Sequence, residues 1–204
     1  MDKTIKKAAT SDTICYEAHG NLYLNITNRC TARCVFCIRE FSDGVYGYNL
    51  HLSHEPSVDE IIDRLRSLDL SKYREVVFTG FGEPTVRLDI VLKVTRWLRE
   101  RGMSVRLDTN GHGSLLYPDR DVVSELKEAG LSAVSVSLNA ESEELYEKLC
   151  LPAYDNAYQA LLEFTKSAVD AGIRTRMTVV DLPEIDVLKC ERIAHELGAD
   201  FYVR

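Results

Sequence analysis

The stretch LYLNITNRCTARCVFCIRE, residues 22–40, places three closely spaced cysteines directly after an apolar strand pattern. Residues 22–27 (LYLNIT) have the apolar and β-branched composition that predicts a strand. Cys30, Cys34 and Cys37 follow at CxxxCxxC spacing, in a segment that has neither the helical nor the strand period. Three thiols can therefore converge in the loop that leaves the first strand.

Outward from this stretch, β-branched apolar runs alternate with helical patterns as far as the last residues. Strands are predicted at 22–27, 74–79, 104–109, 133–138, 173–180 and 201–203, and helices at 57–68, 89–102, 121–130, 156–172 and 185–198. Repeated strand–helix units favour a parallel sheet joined by right-handed crossovers. We therefore predict an α/β fold, a partial (β/α)6 barrel of parallel strands with its helices outside.

These units divide the chain into a predicted core domain, residues 21–204, and an N-terminal extension, residues 1–20. In the extension, TICYEA (13–18) is ambiguous and could add a strand joined to the first one through His19 and Gly20. Because the last predicted strand ends the chain, we expect no C-terminal accessory domain.

Length, charge and hydropathy narrow the classes of function. The 204 residues include 25 basic and 32 acidic ones, a net charge of −7, without a block of Lys and Arg that would follow a phosphate backbone. We therefore expect no direct binding of nucleic acid. Neither a secretory signal nor an apolar run long enough to span a bilayer is visible, so the sequence predicts a cytoplasmic protein without membrane contact.

The six cysteines are too few and too dispersed for a disulfide scaffold, and the crowding of three within eight positions suggests a metal site. A structural zinc site commonly takes four protein ligands in two separated pairs, and no second pair follows. An iron–sulfur cluster explains three ligands better, because three thiolates on a 4Fe–4S cluster leave one iron open for chemistry. Two alternatives remain: three buried structural cysteines, and a zinc site completed by His51 or His54.

Two motifs together resemble those of the radical S-adenosylmethionine (SAM) superfamily, and the resemblance covers about residues 20–204. The first motif is CxxxCxxC with an aromatic residue, Phe36, before its last cysteine. The second is GFGEPT (80–85) after the second predicted strand, which is similar to the family's GGEP motif with Phe81 at the second glycine position.

The resemblance implies a set of cofactor contacts. Three cysteines would hold a 4Fe–4S cluster, and its open iron would be chelated by the amino and carboxylate groups of SAM: Cys30, Cys34 and Cys37. Contacts to the methionyl group, the ribose and nearby parts of SAM are implied for Phe36, Gly80, Gly82, Glu83, Pro84, Asn110, Ser137 and Asn139. Val180 and Arg204 are weaker candidates, beside adenine and the SAM carboxylate, and Asn110 could also serve only a turn. These later motifs lie at the carboxyl ends of predicted parallel strands, where barrel-type active sites gather.

In the family, an electron from the reduced cluster cleaves SAM to methionine and a 5′-deoxyadenosyl radical, which abstracts a hydrogen atom from substrate. The resemblance therefore implies an enzyme of unknown substrate that uses the cluster, SAM and a reductant such as flavodoxin or ferredoxin. Among short chains, residues 22–40 are most similar to a small subgroup linked to TatD-type nucleases. Two other functions remain open: a glycyl-radical activating enzyme with a protein partner, and a non-catalytic iron–sulfur sensor or electron carrier.

The loop 38–56 is long and carries Phe41, Tyr46 and Tyr48, as a substrate-covering loop would, although a packed surface loop fits equally well. The three remaining cysteines are too dispersed to indicate an auxiliary cluster. They are interpreted as ordinary thiols, of which the second could approach the site: Cys15, Cys150 and Cys190.

Overall fold

The computed structural model describes residues 12–204 and is built around a seven-stranded sheet. The strands are β1 Cys15–Ala18, β2 Asn21–Leu24, β3 Gly44–Val45, β4 Tyr48–Asn49, β5 Val76–Phe78, β6 Val105–Thr109, β7 Ala133–Ser137, β8 Arg174–Val179 and β9 Asp200–Val203. The large sheet has the order β1-β2-β5-β6-β7-β8-β9, and β3 pairs with β4 in a separate hairpin. Its six strands from β2 to β9 are parallel and β1 is antiparallel. The predicted α/β class with a parallel sheet is therefore confirmed.

Helices connect the parallel strands, as the alternating patterns predict. They are α1 Val58–Arg66, α2 Leu88–Arg99, α3 Gly113–Leu116, α4 Val122–Glu128, α5 Glu143–Cys150, α6 Ala157–Asp170 and α7 Val187–Glu196, with 3-10 turns at Ile38–Glu40, Leu70–Lys72 and Pro84–Arg87. The capping box expected at the start of α1 is present. The Ser57 hydroxyl accepts from the Glu60 N–H at 3.2 Å, and the Glu60 carboxylate accepts from the Ser57 N–H at 2.8 Å.

Helix α5 lies in a segment that the sequence pattern left unassigned. Its start has the usual signals: the Ser142 hydroxyl accepts from the Leu145 N–H at 3.4 Å, and Glu143 and Glu144 occupy the first turn. Within its eight residues, the apolar positions 145, 146, 149 and 150 recur at helical spacing. Cap and spacing were therefore both available as evidence for this helix.

The ambiguous segment TICYEA contains β1, which pairs with β2 across the turn His19–Gly20. Both turn residues have positive φ, 51° and 74°, as a two-residue hairpin loop requires. Residues 1–11 of the predicted extension lie outside the described residues, and the division into extension and core stays a prediction. Within residues 12–204, no helix combines the length and the apolar character needed to cross a bilayer.

Side chains of the parallel strands alternate between two unlike faces of the sheet. The face that the helices cover is apolar and fully buried; among its members are Leu24, Phe78, Leu107, Val136 and Met177. The opposite face carries polar, charged and aromatic residues of the same strands: Tyr23, Arg106, Asp108, Ser135, Ser137, Arg176 and Tyr202. Burial of the first face fixes the helices on the sheet, which leaves the second face available for binding.

Candidate active site

A cavity of about 330 Å³ opens at the carboxyl ends of the parallel strands, within the roughly 300–1,000 Å³ common for small-molecule sites. Its wall contains all but one of the residues predicted to bind the cluster or SAM: Cys30, Cys34, Phe36, Cys37, Gly80, Gly82, Glu83, Asn110, Ser137 and Asn139. The exception is Pro84, which is buried and begins the 3-10 turn after Glu83. The weaker candidates Val180 and Arg204 also line the cavity. The structure thus brings these residues together, and their individual ligand roles stay predictions.

The end of α5 holds the loop that carries the three cysteines. The Arg33 N–H donates to the Cys150 carbonyl at 3.0 Å, and the Val35 N–H donates to the Leu149 carbonyl at 2.9 Å. These backbone bonds fix the loop on both sides of Cys34 and do not involve its thiol. The helix that the sequence pattern missed is therefore the support of the cysteine loop.

The arrangement of donors fits an iron–sulfur cluster better than a single metal ion. Within residues 12–204, no three Cys, His, Asp or Glu side chains are grouped to bind one ion. The rings of His51 and Phe81 pack edge to face with centroids 4.9 Å apart, and His54 pairs with Asp12 at 3.2 Å and Glu60 at 2.9 Å. Neither histidine completes a zinc site in this part of the chain. Thiolates that each bind a different iron need not converge on one point, so the three cysteines remain compatible with a 4Fe–4S cluster.

A fourth thiol, that of Cys150, lies against Cys34 in the cavity wall. The contact with Cys150 lowers the pKa of Cys34, and the same contact raises the pKa of Cys150. The contact arises because Cys150 ends α5, against which the cysteine loop is fixed. Cys190, in contrast, is buried in α7 and does not line the cavity.

Glu83 is a buried carboxylate, 3% exposed, in the turn after β5. Its Oε1 accepts from the Thr85 N–H (2.9 Å), the Thr85 hydroxyl (2.7 Å) and the Thr109 hydroxyl (2.8 Å). Its Oε2 accepts one bond, from the Asn110 N–H at 2.7 Å. Burial raises the pKa of Glu83, and these hydrogen bonds oppose the rise. A carboxylate oxygen has about two lone-pair sites, so Oε2 keeps one acceptor position for an ammonium group.

Two glycines let the turn after β5 pass close to the cysteine loop. A Cβ on Gly82 would overlap the backbone carbonyl oxygens of Thr27 and Arg29. Gly80 has a φ of 140°, and a Cβ there would overlap the side-chain oxygen of Asn25. A side chain at Gly82 would push this turn, and the buried carboxylate it carries, away from the segment that leads to the cysteines, and a side chain at Gly80 would displace Asn25.

Asn139 lines the cavity and has a buried side-chain oxygen without a hydrogen-bond partner among the described residues. It is 5% exposed and has a φ of 55°. An unpaired buried polar group costs about 1–3 kcal/mol. A ribose hydroxyl would supply the missing donor, at the position where the resemblance implies a ribose contact. Ser137, two residues earlier, already accepts from the Arg204 guanidinium at 3.2 Å.

A buried chain of hydrogen bonds behind the cavity runs through His112, which the sequence pattern did not single out. Its ring nitrogens contact the Thr31 hydroxyl at 2.9 Å and the Tyr146 hydroxyl at 2.8 Å, and the Asn110 side chain donates to Thr31 at 2.7 Å. Burial lowers the pKa of His112 to about 4, so the ring is neutral and can donate on one side while accepting on the other. The chain joins the residue after Cys30 to α5. The available sequence signal was a histidine one residue beyond the TNG segment.

A family model described as the radical SAM superfamily matches residues 24–195. The chain belongs to the radical SAM superfamily. Members of this superfamily are enzymes that bind a 4Fe–4S cluster and SAM. The family, the enzyme class and the two cofactors expected from the cysteine motif and GFGEPT are therefore confirmed.

Curated relatives are similar to most of this radical SAM chain. The Fe-coproporphyrin III synthase of Methanosarcina barkeri is 33% identical over 178 residues, which cover 83% of this chain and 41% of the relative. A probable GTP 3′,8-cyclase of Saccharolobus islandicus is 34% identical over 184 residues, which cover 88% of this chain and 54% of the relative. The chain thus spans about half the length of the curated relatives it matches.

Solved structures show the same fold. Streptococcus suis SuiB bound to S-adenosylmethionine has a TM-score of 0.69 and 17% identity, over 89% of this chain and 39% of SuiB. The structure of TYW1 with a lysine-pyruvate adduct has a TM-score of 0.64 and 13% identity, over 92% of this chain and 66% of TYW1. At these identities the likeness concerns the fold alone.

Proposed function

We propose that this chain binds a 4Fe–4S cluster through Cys30, Cys34 and Cys37 and cleaves SAM reductively. When bound, the cluster and SAM supply a one-electron cleavage to methionine and a 5′-deoxyadenosyl radical, which takes a hydrogen atom from substrate and becomes 5′-deoxyadenosine. The observation that carries the proposal is one cavity at which three thiols, the Glu83 carboxylate and the unpaired Asn139 oxygen meet.

Four residues of this cavity have proposed roles that follow from their chemistry and position. The free acceptor position of Glu83 Oε2 suits the SAM ammonium group, because a charge-assisted hydrogen bond is about twice as strong as a neutral one. Asn139 Oδ1 suits a ribose hydroxyl. Gly82 keeps the carboxylate close to the cysteines. The buried side chain of Tyr146 closes the wall and limits the entry of water.

The electron is proposed to come from a carrier such as flavodoxin or ferredoxin. Three apolar residues beside the cysteines are exposed: Val35 (49%), Ile38 (44%) and Phe41 (72%). Grouped apolar side chains at a redox site offer a contact surface for such a carrier. The narrower placement in the subgroup linked to TatD-type nucleases, a cytoplasmic location and a substrate-covering role of the loop 38–56 also stay predictions.

The test is to reconstitute the protein anaerobically with iron and sulfide, reduce it with dithionite, add SAM, and quantify 5′-deoxyadenosine. We expect product from the unaltered chain and from Cys190→Ala, whose thiol is buried outside the cavity, and none above background from Cys34→Ala. A cluster that forms while SAM stays intact would favour an electron carrier or sensor instead. Binding of zinc without a cluster would show the proposal to be wrong.

A further inference from the structure

A second cavity, of about 620 Å³, lies on the polar face of the sheet. It adjoins the first cavity, because Asp108 and Arg204 line both. In the sheet register, Asp108, Ser135 and Arg176 stand side by side on β6, β7 and β8. They are one inward-facing position closer to the amino ends of the strands than the residues expected to hold SAM. An occupant of this cavity would therefore lie next to SAM.

The charges in this wall do not cancel. The cavity is lined by three guanidinium groups and two carboxylates: Arg106, Arg176, Arg204, Glu75 and Asp108. Arg106 pairs with both carboxylates, with Glu75 at 3.1 Å and with Asp108. Among residues 12–204, neither of the other two arginines forms an ion pair with a carboxylate. Arg204 also lines the first cavity, where it is the candidate for the SAM carboxylate, so Arg176 is the cation left for a ligand of the second cavity.

The guanidinium of Arg176 is held in place with its terminal nitrogens free. Its Nε donates to the Ser135 hydroxyl at 3.0 Å, and the group lies 5.6 Å from the centroid of the Tyr202 ring. No hydrogen bond among the described residues uses its two terminal nitrogens. Desolvation lowers the pKa of Arg204, and the charge of Arg176 lowers it further, whereas Asp108 opposes the shift. An anion between the two arginines would relieve that repulsion.

Four tyrosine rings also line this cavity. Tyr16 and Tyr23 stack with centroids 5.1 Å apart and ring planes 17° from parallel. Tyr46 and Tyr202 are 61% and 54% exposed. Flat rings with free faces suit a flat ligand, because offset stacking adds to the burial of apolar area.

We propose that the second cavity binds the substrate, a small organic acid whose carboxylate pairs with Arg176 and whose planar ring packs against Tyr23 and Tyr202. One carboxylate matches the single guanidinium that is left for a ligand of this cavity, that of Arg176. A phosphate ester carries about −1.5 to −2 at neutral pH, and its extra charge would face Asp108. The binding step stands on the geometry of this cavity, whereas the conversion of the acid rests on the proposed function.

The test measures binding to the cluster-loaded protein, anaerobically, with SAM present and no reductant, so that no turnover occurs. The probes are indole-3-carboxylate and its neutral isostere indole-3-carboxamide, with ligand-observed nuclear magnetic resonance as readout. We expect the acid to bind at least tenfold more tightly than the amide. Arg176→Gln should abolish this preference, Arg176→Lys should keep part of it, and Tyr202→Leu should weaken both probes severalfold.

The matched control is Arg174→Gln, on the same strand but outside this cavity, which should leave the preference unchanged. SAM affinity within twofold of the unaltered chain shows that each variant is folded. Equal binding of the two probes, no binding of either, or a preference that survives Arg176→Gln would overturn the proposal. Stronger binding of inorganic phosphate than of the acid would overturn it as well. Because no SAM is cleaved in this experiment, its failure is separable from failure of the proposed enzyme activity.

Discussion

The two faces of the large sheet are made by the same strands, and different constraints choose their residues. On the helix-covered face, Leu107 and its neighbours are fully buried, and any apolar side chain of the right volume would serve. On the opposite face, Asp108 pairs with Arg106, and Arg176 donates to Ser135 and lies over the Tyr202 ring. Packing therefore explains the first face, whereas ion pairs within the chain and the ligand proposed above explain the second.

The polar face itself differs along its strands in the hydrogen-bonding groups that it offers. Near the carboxyl ends, Glu83 and Asn139 offer acceptors to a cation and to hydroxyl groups. Nearer the amino ends, Arg176 offers donors to an anion. We therefore expect changes on the helix-covered face to alter stability, and changes on the polar face to alter binding.

The largest expected effect is on the apolar face. Leu107→Ala removes a fully buried side chain from the centre of β6 and should lower the free energy of unfolding by about 2–5 kcal/mol. Urea denaturation of the metal-free protein measures it. Arg176→Gln on the polar face is the control and should change stability by less than about 1 kcal/mol. Equal losses in both variants would break the comparison between the faces.

The buried histidine predicts a pH-dependent stability. The pKa of His112 is lowered from 6.5 to about 4 in the folded chain, so between these values the unfolded chain binds a proton that the folded chain does not. The contribution of His112 to the free energy of unfolding is therefore fully present above about pH 6.5. It falls by about 3 kcal/mol as the pH is lowered to 4.

Urea denaturation at a series of pH values from neutral to acidic checks this dependence. His112→Gln should flatten it, whereas His195→Gln, at an exposed position of α7, should leave it in place. An unchanged slope in His112→Gln would contradict the account of a neutral buried ring.

Glu83→Gln should weaken SAM binding by roughly 10- to 100-fold, because it removes the charge from a hydrogen bond worth about 1.5–3 kcal/mol. Equilibrium dialysis with cluster-loaded protein gives the dissociation constant. Glu125→Gln, which removes a carboxylate paired with Arg120 away from both cavities, should leave it unchanged. Equal SAM affinity in the two variants would contradict the proposed role of Glu83 in binding SAM.

The smallest effect separates two similar asparagines. Asn139 and Asn21 each have a buried Oδ1 without a partner among the described residues. Of the two, only Asn139 lines the first cavity, where SAM is proposed to bind. Asn139→Ala should weaken SAM binding about fivefold, the loss of one hydrogen bond of about 1 kcal/mol. Asn21→Ala, at the amino end of β2, should have no effect on the same dissociation constant. The reverse order would contradict the ribose contact.

Most of the fold could be predicted because the helix-covered face dictates apolar residues at every second strand position. The parallel strands and the helices α1, α2, α4, α6 and α7 lie where the patterns place them. Helix α5 was missed although its apolar residues, at positions 145, 146, 149 and 150, recur at helical spacing after the cap at Ser142. The turn residues His19 and Gly20 and the capping box at Ser57 were readable because turn and cap chemistry is local.

The cofactor side of the site was predictable for a different reason. Cys30, Cys34, Cys37 and the turn at Glu83 are short motifs whose spacing fixes their chemistry. His112 and Arg176 were not predictable from motifs, because their importance depends on which residues of other strands they meet. The alternation of Arg174 and Arg176 in β8 was the one sequence pattern that indicated a charged inner face.

The most direct test of the account asks which thiols of this cavity bind the cluster, since the structure places Cys150 against Cys34. Iron and acid-labile sulfide should be counted after anaerobic reconstitution, with the 4Fe–4S absorption as a second readout. We predict that Cys30→Ala, Cys34→Ala and Cys37→Ala each lose the cluster, whereas Cys150→Ala retains about four irons and four sulfides per chain. A full cluster in any of the first three variants, or its loss in Cys150→Ala with the fold intact, would contradict the account.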